Sequence, residues 1–138
     1  MTLSALLRRF AAAYLVLLIV VGVGLNLAGA KSSAGGNMAA LLGAVLWVCM
    51  DFAKKNGRYF TREEKNRVVL GMLVIDLVMQ MAGSVAIGVF AGASALSLGP
   101  MVLILLFTCV LHALVIWFFV GFAGKQHAAA EARRNKNG

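Results

Sequence analysis

Proline occurs once in these 138 residues, cysteine twice, histidine twice, and acidic side chains only five times. Each scarcity removes a class of protein. A lone proline, Pro100, leaves no proline-rich linker or polyproline segment. Cys49 and Cys109 fall inside apolar runs with no Cys-x-x-Cys spacing, which speaks against a disulfide framework or a thiol redox motif. So few histidines and carboxylates make no metal-ligand set, and no nucleophile stands with a base and oxyanion donors. The expectation is therefore no metal, no cofactor and no catalytic residues.

Apolar residues are what the chain has in quantity. They make up 62% of it, with a mean hydropathy of +0.90, against roughly 45–50% in soluble domains. Four apolar stretches run over about 10–30, 38–53, 68–90 and 101–122. A helix needs about 20 such residues to cross the hydrocarbon core, and three of the four reach that length outright. The fold class that follows is an all-α membrane protein, 1–138 forming a single domain of four transmembrane helices in an up-down-up-down bundle.

Thirteen Lys and Arg residues orient it. Arg8 and Arg9 precede the first span, Lys54, Lys55, Arg58, Arg62, Lys65 and Arg67 lie between the second and third, and Lys125, Arg133, Arg134 and Lys136 follow the fourth. Only Lys31 falls on the other side. This bias predicts both termini and the middle loop in the cytoplasm. The net charge of +8 thus reads as topology and attraction to anionic lipids at the cytoplasmic face, not as nucleic-acid binding. Arg8-Arg9, an apolar run and Ala28-Gly29-Ala30 have the outline of a signal peptide. The run exceeds the usual 7–15 or so residues of a signal h-region, so the segment reads as a retained first span.

Small residues predict where helices meet. Gly22, Asn26 and Gly29 share a face of the first span; Ala40, Ala44, Trp47 and Asp51 share one of the second; Gly88 and Gly92 make a GxxxG pair at the outer end of the third. Asn37 reads as an N-cap and Gly57 as a helix stop. Thr61-Arg-Glu-Glu64 fits a capping box starting the third helix at Arg62. Asp51, near the interface, is expected to pair with Arg67, Lys65 or Lys54.

Asp76 is the costly residue, about 2.5–3.5 kcal/mol at the centre of a membrane helix if charged. Gln80 and Gly83 continue its stripe, which must face the bundle. Asp76 sits about eight residues inside span three, roughly 12 Å deep, and His112 about ten residues inside span four, roughly 15 Å deep. The two can meet on neighbouring antiparallel helices. Such a pair serves either as a register lock between helices or as part of an ion or proton path.

The turn Gly57-Arg58-Tyr-Phe-Thr61-Arg-Glu-Glu64 between two apolar spans resembles that of an uncharacterised group of short bacterial four-span inner-membrane proteins with a cytoplasmic Gly-Arg-x-x-Thr-x-x-Glu turn. The resemblance extends over nearly the whole span arrangement and implies a bacterial inner membrane, with no activity attached. Small multidrug exporters, of similar size, centre on a Glu in span one, where this chain has no acid. The functional expectation is a non-enzymatic protein acting by contact, as an accessory subunit of a membrane assembly or an immunity-type protein against a membrane-acting toxin. Its partner is then another membrane protein or a second copy, met through the helix faces or the elbow formed by Asp51, Arg58, Thr61, Glu64 and Arg67. The alternative is a small homo-oligomeric proton-coupled transporter or ion channel using Asp76 and His112.

Overall fold

Four helices account for the described chain: α1 (Leu3–Leu27), α2 (Ala34–Asn56), α3 (Arg62–Ala91) and α4 (Leu98–Lys136). This computed structural model describes residues 1–29, 34–91 and 98–136, with side chains for 1–29, 35–85 and 103–135. All four helices are long and apolar enough to cross a membrane, and no strand occurs among the described residues. In lipid every backbone amide must find its partner inside its own segment, and helices satisfy that demand.

Local chemistry sets the ends. Thr2 caps α1 through an Oγ1 that accepts from the Ala5 amide at 3.3 Å. Gly29, at φ 70°, lies just past its other end, so this glycine serves as a helix stop and not as a contact residue. Gly57, at φ 61°, follows α2 in the same way. A Cβ at Gly57 meets nothing within 4 Å, so the penalty for adding one is purely conformational. Gly57→Ala should cost about 1–2 kcal/mol in reversible unfolding; an unchanged midpoint would show that the turn adapts.

The elbow between α2 and α3 forms the expected capping box. The Thr61 amide donates to Glu64 Oε2 at 2.9 Å, and the Glu64 amide donates to Thr61 Oγ1 at 3.3 Å. Arg58 closes it with two parallel bonds to the Glu64 carboxylate, 2.7 and 2.8 Å long. Asp51 pairs with Arg9 at 2.7 Å and Lys55 at 2.8 Å, not with Arg67, Lys65 or Lys54 as expected. Lys55 is one turn along the same helix, and Arg9 comes from the antiparallel neighbour. Arg67 is exposed.

Cross-contacts fix the helix directions. Arg9 meets Asp51 and Leu17 meets Gly43, so α1 and α2 are antiparallel. Leu7 lies against Gly71, and Asp76 meets His112, so α3 runs with α1 and against α4. Around the bundle the order is α1, α2, α4, α3. The elbow therefore crosses the end of the bundle diagonally, where Tyr59 reaches α4. Its hydroxyl donates to the Val120 carbonyl, and its ring covers Gly124. Burial pushes the Tyr59 phenol above its ordinary range, so it remains a donor at physiological pH.

Leu6, Phe10, Val48, Phe52, Val68, Met72, Ile116 and Val120 fill the half of the bundle next to the elbow and are almost wholly buried. Facing outward, Val16, Ile19, Leu103, Phe107, Leu114 and Trp117 are each more than half exposed. An apolar surface of this extent is covered by lipid, not water. The chain is a multi-pass membrane protein.

Several expected helix contacts fall elsewhere. Ala40 and Ala44 are buried, but Trp47 on their predicted face is 56% exposed. Gly22, Asn26 and Gly83 are exposed, and a Cβ at Gly22 or Gly83 meets nothing within 4 Å. The close approaches lie instead at Gly36 against Val21 and Leu25, at Gly71 against Leu7, and at Gly124 against Tyr59. Gly88 lies in α3 beyond the described side chains, and Gly92 and Lys31 lie outside the described residues.

Candidate functional site

Asp76 is fully buried and His112 is 4% exposed, the two polar or charged residues buried in the described core. The register predicted from depth brings them together. His112 Nδ1 stands 2.7 Å from Asp76 Oδ2, and Gln80 Nε2 stands 2.8 Å from the same oxygen and 2.9 Å from Nδ1. Gln80 lies one turn after Asp76 on α3, so both reach the same point of α4.

Two members of the cluster escaped the sequence reading. The Tyr14 hydroxyl, from α1, lies 2.7 Å from Asp76 Oδ1 and 2.8 Å from Asn37 Oδ1 of α2. Asn37 is thus a member of the cluster and not the predicted N-cap, since α2 already begins at Ala34. The available signal was Tyr14 itself: a tyrosine buried in a membrane span needs a partner for its hydroxyl. All four helices contribute to this one point. No buried side-chain nitrogen or oxygen among the described residues lacks a partner.

The distances constrain the protons. One phenolic proton serves one acceptor at a time, yet Tyr14 has two oxygens within reach. With Asp76 protonated, the carboxylic acid donates to the Tyr14 oxygen, and Tyr14 donates to Asn37. With Asp76 ionised, Tyr14 donates to the carboxylate, and the Asn37 amide turns over to donate to Tyr14. Likewise the proton between Asp76 and His112 satisfies the same 2.7 Å on either atom. The two alternatives use different carboxyl oxygens, Oδ1 toward Tyr14 and Oδ2 toward His112, so a protonated Asp76 donates to one of these neighbours at a time.

Beside the cluster, between α1, α3 and the start of α2, a partly open cavity of about 340 Å³ is lined by Tyr14, Asn37, Gln80 and Ser84 together with apolar residues. Gly22, Gly36 and Gly83 also line it. Gly22 and Gly83, expected to be contact residues, thus border open space. On the other side of Asp76, Met72, Phe10 and Ile116 belong to the packed core. Among the described residues this packed core closes the site toward the elbow.

Among the described residues no group of three His, Cys, Asp or Glu could hold a metal ion. Cys49 is buried and unpaired, and Cys109 is half-buried and unpaired. No protein-family profile, curated protein or solved structure matches this chain.

Proposed function

We propose that this protein is a small proton-coupled carrier of the bacterial inner membrane, with both termini cytoplasmic, that binds its solute in the cavity beside Asp76 and His112. The carrying observation is a buried Asp–His couple, joined by hydrogen bonds to Tyr14, Gln80 and Asn37 at the wall of a cavity that is closed on one side. A closed end suits alternating access better than a standing pore. Four helices leave little room for rocking, so the working unit is a homo-oligomer. The orientation rests on the twelve basic residues that share the elbow's side.

Magnitudes favour function over a register lock. A membrane hydrogen bond is worth about 0.6 kcal/mol on average, so the three bonds to Asp76 return about 2 kcal/mol. Inserting a charged Asp at mid-membrane costs about 2.5–3.5 kcal/mol. A lock built on a charged Asp76 returns less than its placement costs, and an uncharged polar residue would lock as well.

The test is charge movement in proteoliposomes on a solid-supported membrane. A pH jump should evoke a transient current, and a panel of small polar solutes should evoke others. Gly83→Leu, which fills the cavity without touching Asp76, should suppress the solute currents and keep the pH-jump current. Silence of the wild type under both stimuli overturns the reading.

A second reading, action by contact, draws on the cytoplasmic end. The elbow is held by the Thr61–Glu64 capping box and the Arg58–Glu64 pair, and α4 continues to Lys136 with exposed residues from Ala128 to Asn135. Such a platform suits an accessory or immunity-type role. Crosslinking from the elbow in native membranes tests it: a heterologous membrane protein at fixed stoichiometry supports the reading, and self-crosslinks alone sink it.

A further inference from the structure

A second cavity lies on the lipid-facing side of α1 and α2, away from the Asp76 cluster. It is an open groove of about 550 Å³. Ala12, Ala13 and Gly43 leave the space, Val16, Leu17 and Trp47 border it, and Arg9 stands at one end. From Arg9 to Leu17 the groove runs roughly 12 Å along α1, close to the depth of one hydrocarbon leaflet, half of about 30 Å.

The charge at the Arg9 end is not balanced. Arg9 Nη1 and Lys55 Nζ both bond to the same oxygen of Asp51, at 2.7 and 2.8 Å. Two cations thus share one carboxylate. The Arg9 side chain is 46% exposed, and its remaining N–H donors have no partner among the described residues. Arginine's planar fork suits two phosphate oxygens at once, and Trp47 borders the same groove, as aromatic rings do near lipid headgroups. The wall beyond Arg9 is apolar throughout.

We infer that this groove is a binding site for one anionic phospholipid, its phosphate on Arg9 and Lys55 and an acyl chain along Ala12, Val16 and Trp47. The site is independent of the carrier reading and holds whether or not Asp76 moves protons. A lipid seated here braces α1 against α2.

Trp47 reports on it directly. In a Trp117→Phe background Trp47 is the sole tryptophan, and its fluorescence is quenched by brominated lipid in the groove. Brominated phosphatidylglycerol should reach half-quenching at a mole fraction about fivefold lower than brominated phosphatidylcholine, the ratio expected of one basic residue near its anionic partner. Arg9→Gln should bring the two curves together, and Ala12→Phe should remove the preference by filling the groove. Asp51→Asn breaks the same ion pair but keeps the cation, so the preference should survive it. Superimposed curves in the parent protein overturn the proposal, as does a loss of preference in Asp51→Asn equal to that in Arg9→Gln. Efficient crosslinking between copies through Val16→Cys, with weak quenching by every lipid, overturns it in favour of a second chain as occupant.

Discussion

Asp76→Asn should abolish the pH-jump current while the bundle still assembles. The substitution keeps size and hydrogen-bonding capacity. Asn at this position accepts from the Tyr14 hydroxyl with its carbonyl oxygen, and its amide group donates to His112 Nδ1. Gln80, now opposite a donor, turns its own amide to present the oxygen and gives up its bond to His112 Nδ1. Three partners are retained, so the stability change should stay within about 1 kcal/mol. What disappears is the carboxyl group that the proposed carrier needs for taking up and releasing a proton beside His112. Unfolding in mixed micelles and electrometry on the same preparation separate the two effects. Normal current in a folded Asp76→Asn protein would remove Asp76 from any proton path and leave it a structural residue. Asp76→Leu provides the contrast. It removes one bond each from Tyr14, Gln80 and His112, at about 0.6 kcal/mol for each lost bond, while Tyr14 keeps Asn37 and Gln80 keeps His112, so a register lock would reveal itself there as instability.

The largest stability loss should come from a glycine that the sequence did not mark. A Cβ at Gly124 would lie 2.6 Å from Tyr59 Cε1 and 2.8 Å from Cδ1. Those atoms belong to a rigid ring anchored at both ends: the hydroxyl donates to the Val120 carbonyl, and the ring packs on Phe60, which packs on Phe52. The ring cannot swing aside without releasing the elbow. Gly124→Val should therefore cost about 1–3 kcal/mol, the usual range for overpacking, and open the elbow to trypsin at Arg58. Tyr59→Phe, which removes only the hydroxyl bond, should cost about 1 kcal/mol and leave the elbow protected. Equal protease resistance in Gly124→Val and the parent protein would mean that α4 shifts to make room.

Gly124 and Gly22 differ in a way that composition alone conceals. Both lie in apolar helices, yet the sequence marked only Gly22 as a contact residue. Only Gly124 has a neighbour at its missing side chain; Gly22 borders a cavity. In water a helix shows its buried face by its apolar stripe. In lipid the outer face is as apolar as the inner one, so the stripe vanishes and small residues give only a list of candidates. Asp76 escapes this ambiguity, because lipid tolerates it nowhere on the outer face. Its depth relative to His112 follows from the 1.5 Å rise of a helix, which is why their meeting was legible.

The amino-acid sequence by itself determined how many helices there are, that they suit a membrane, where α3 starts, where α2 stops, and that Asp76, Gln80 and His112 gather inside. Each of these depends on a local rule: run length, a capping box, a left-handed glycine, or a polar group excluded from lipid. Tertiary structure alone decided the order α1, α2, α4, α3 around the bundle, the glycines that touch, the ion pair from Asp51 to Arg9, and the recruitment of Tyr14 and Asn37. Those depend on which faces of the helices meet, and a uniform hydrocarbon solvent leaves that choice to side-chain shape, which no single helix carries in its sequence.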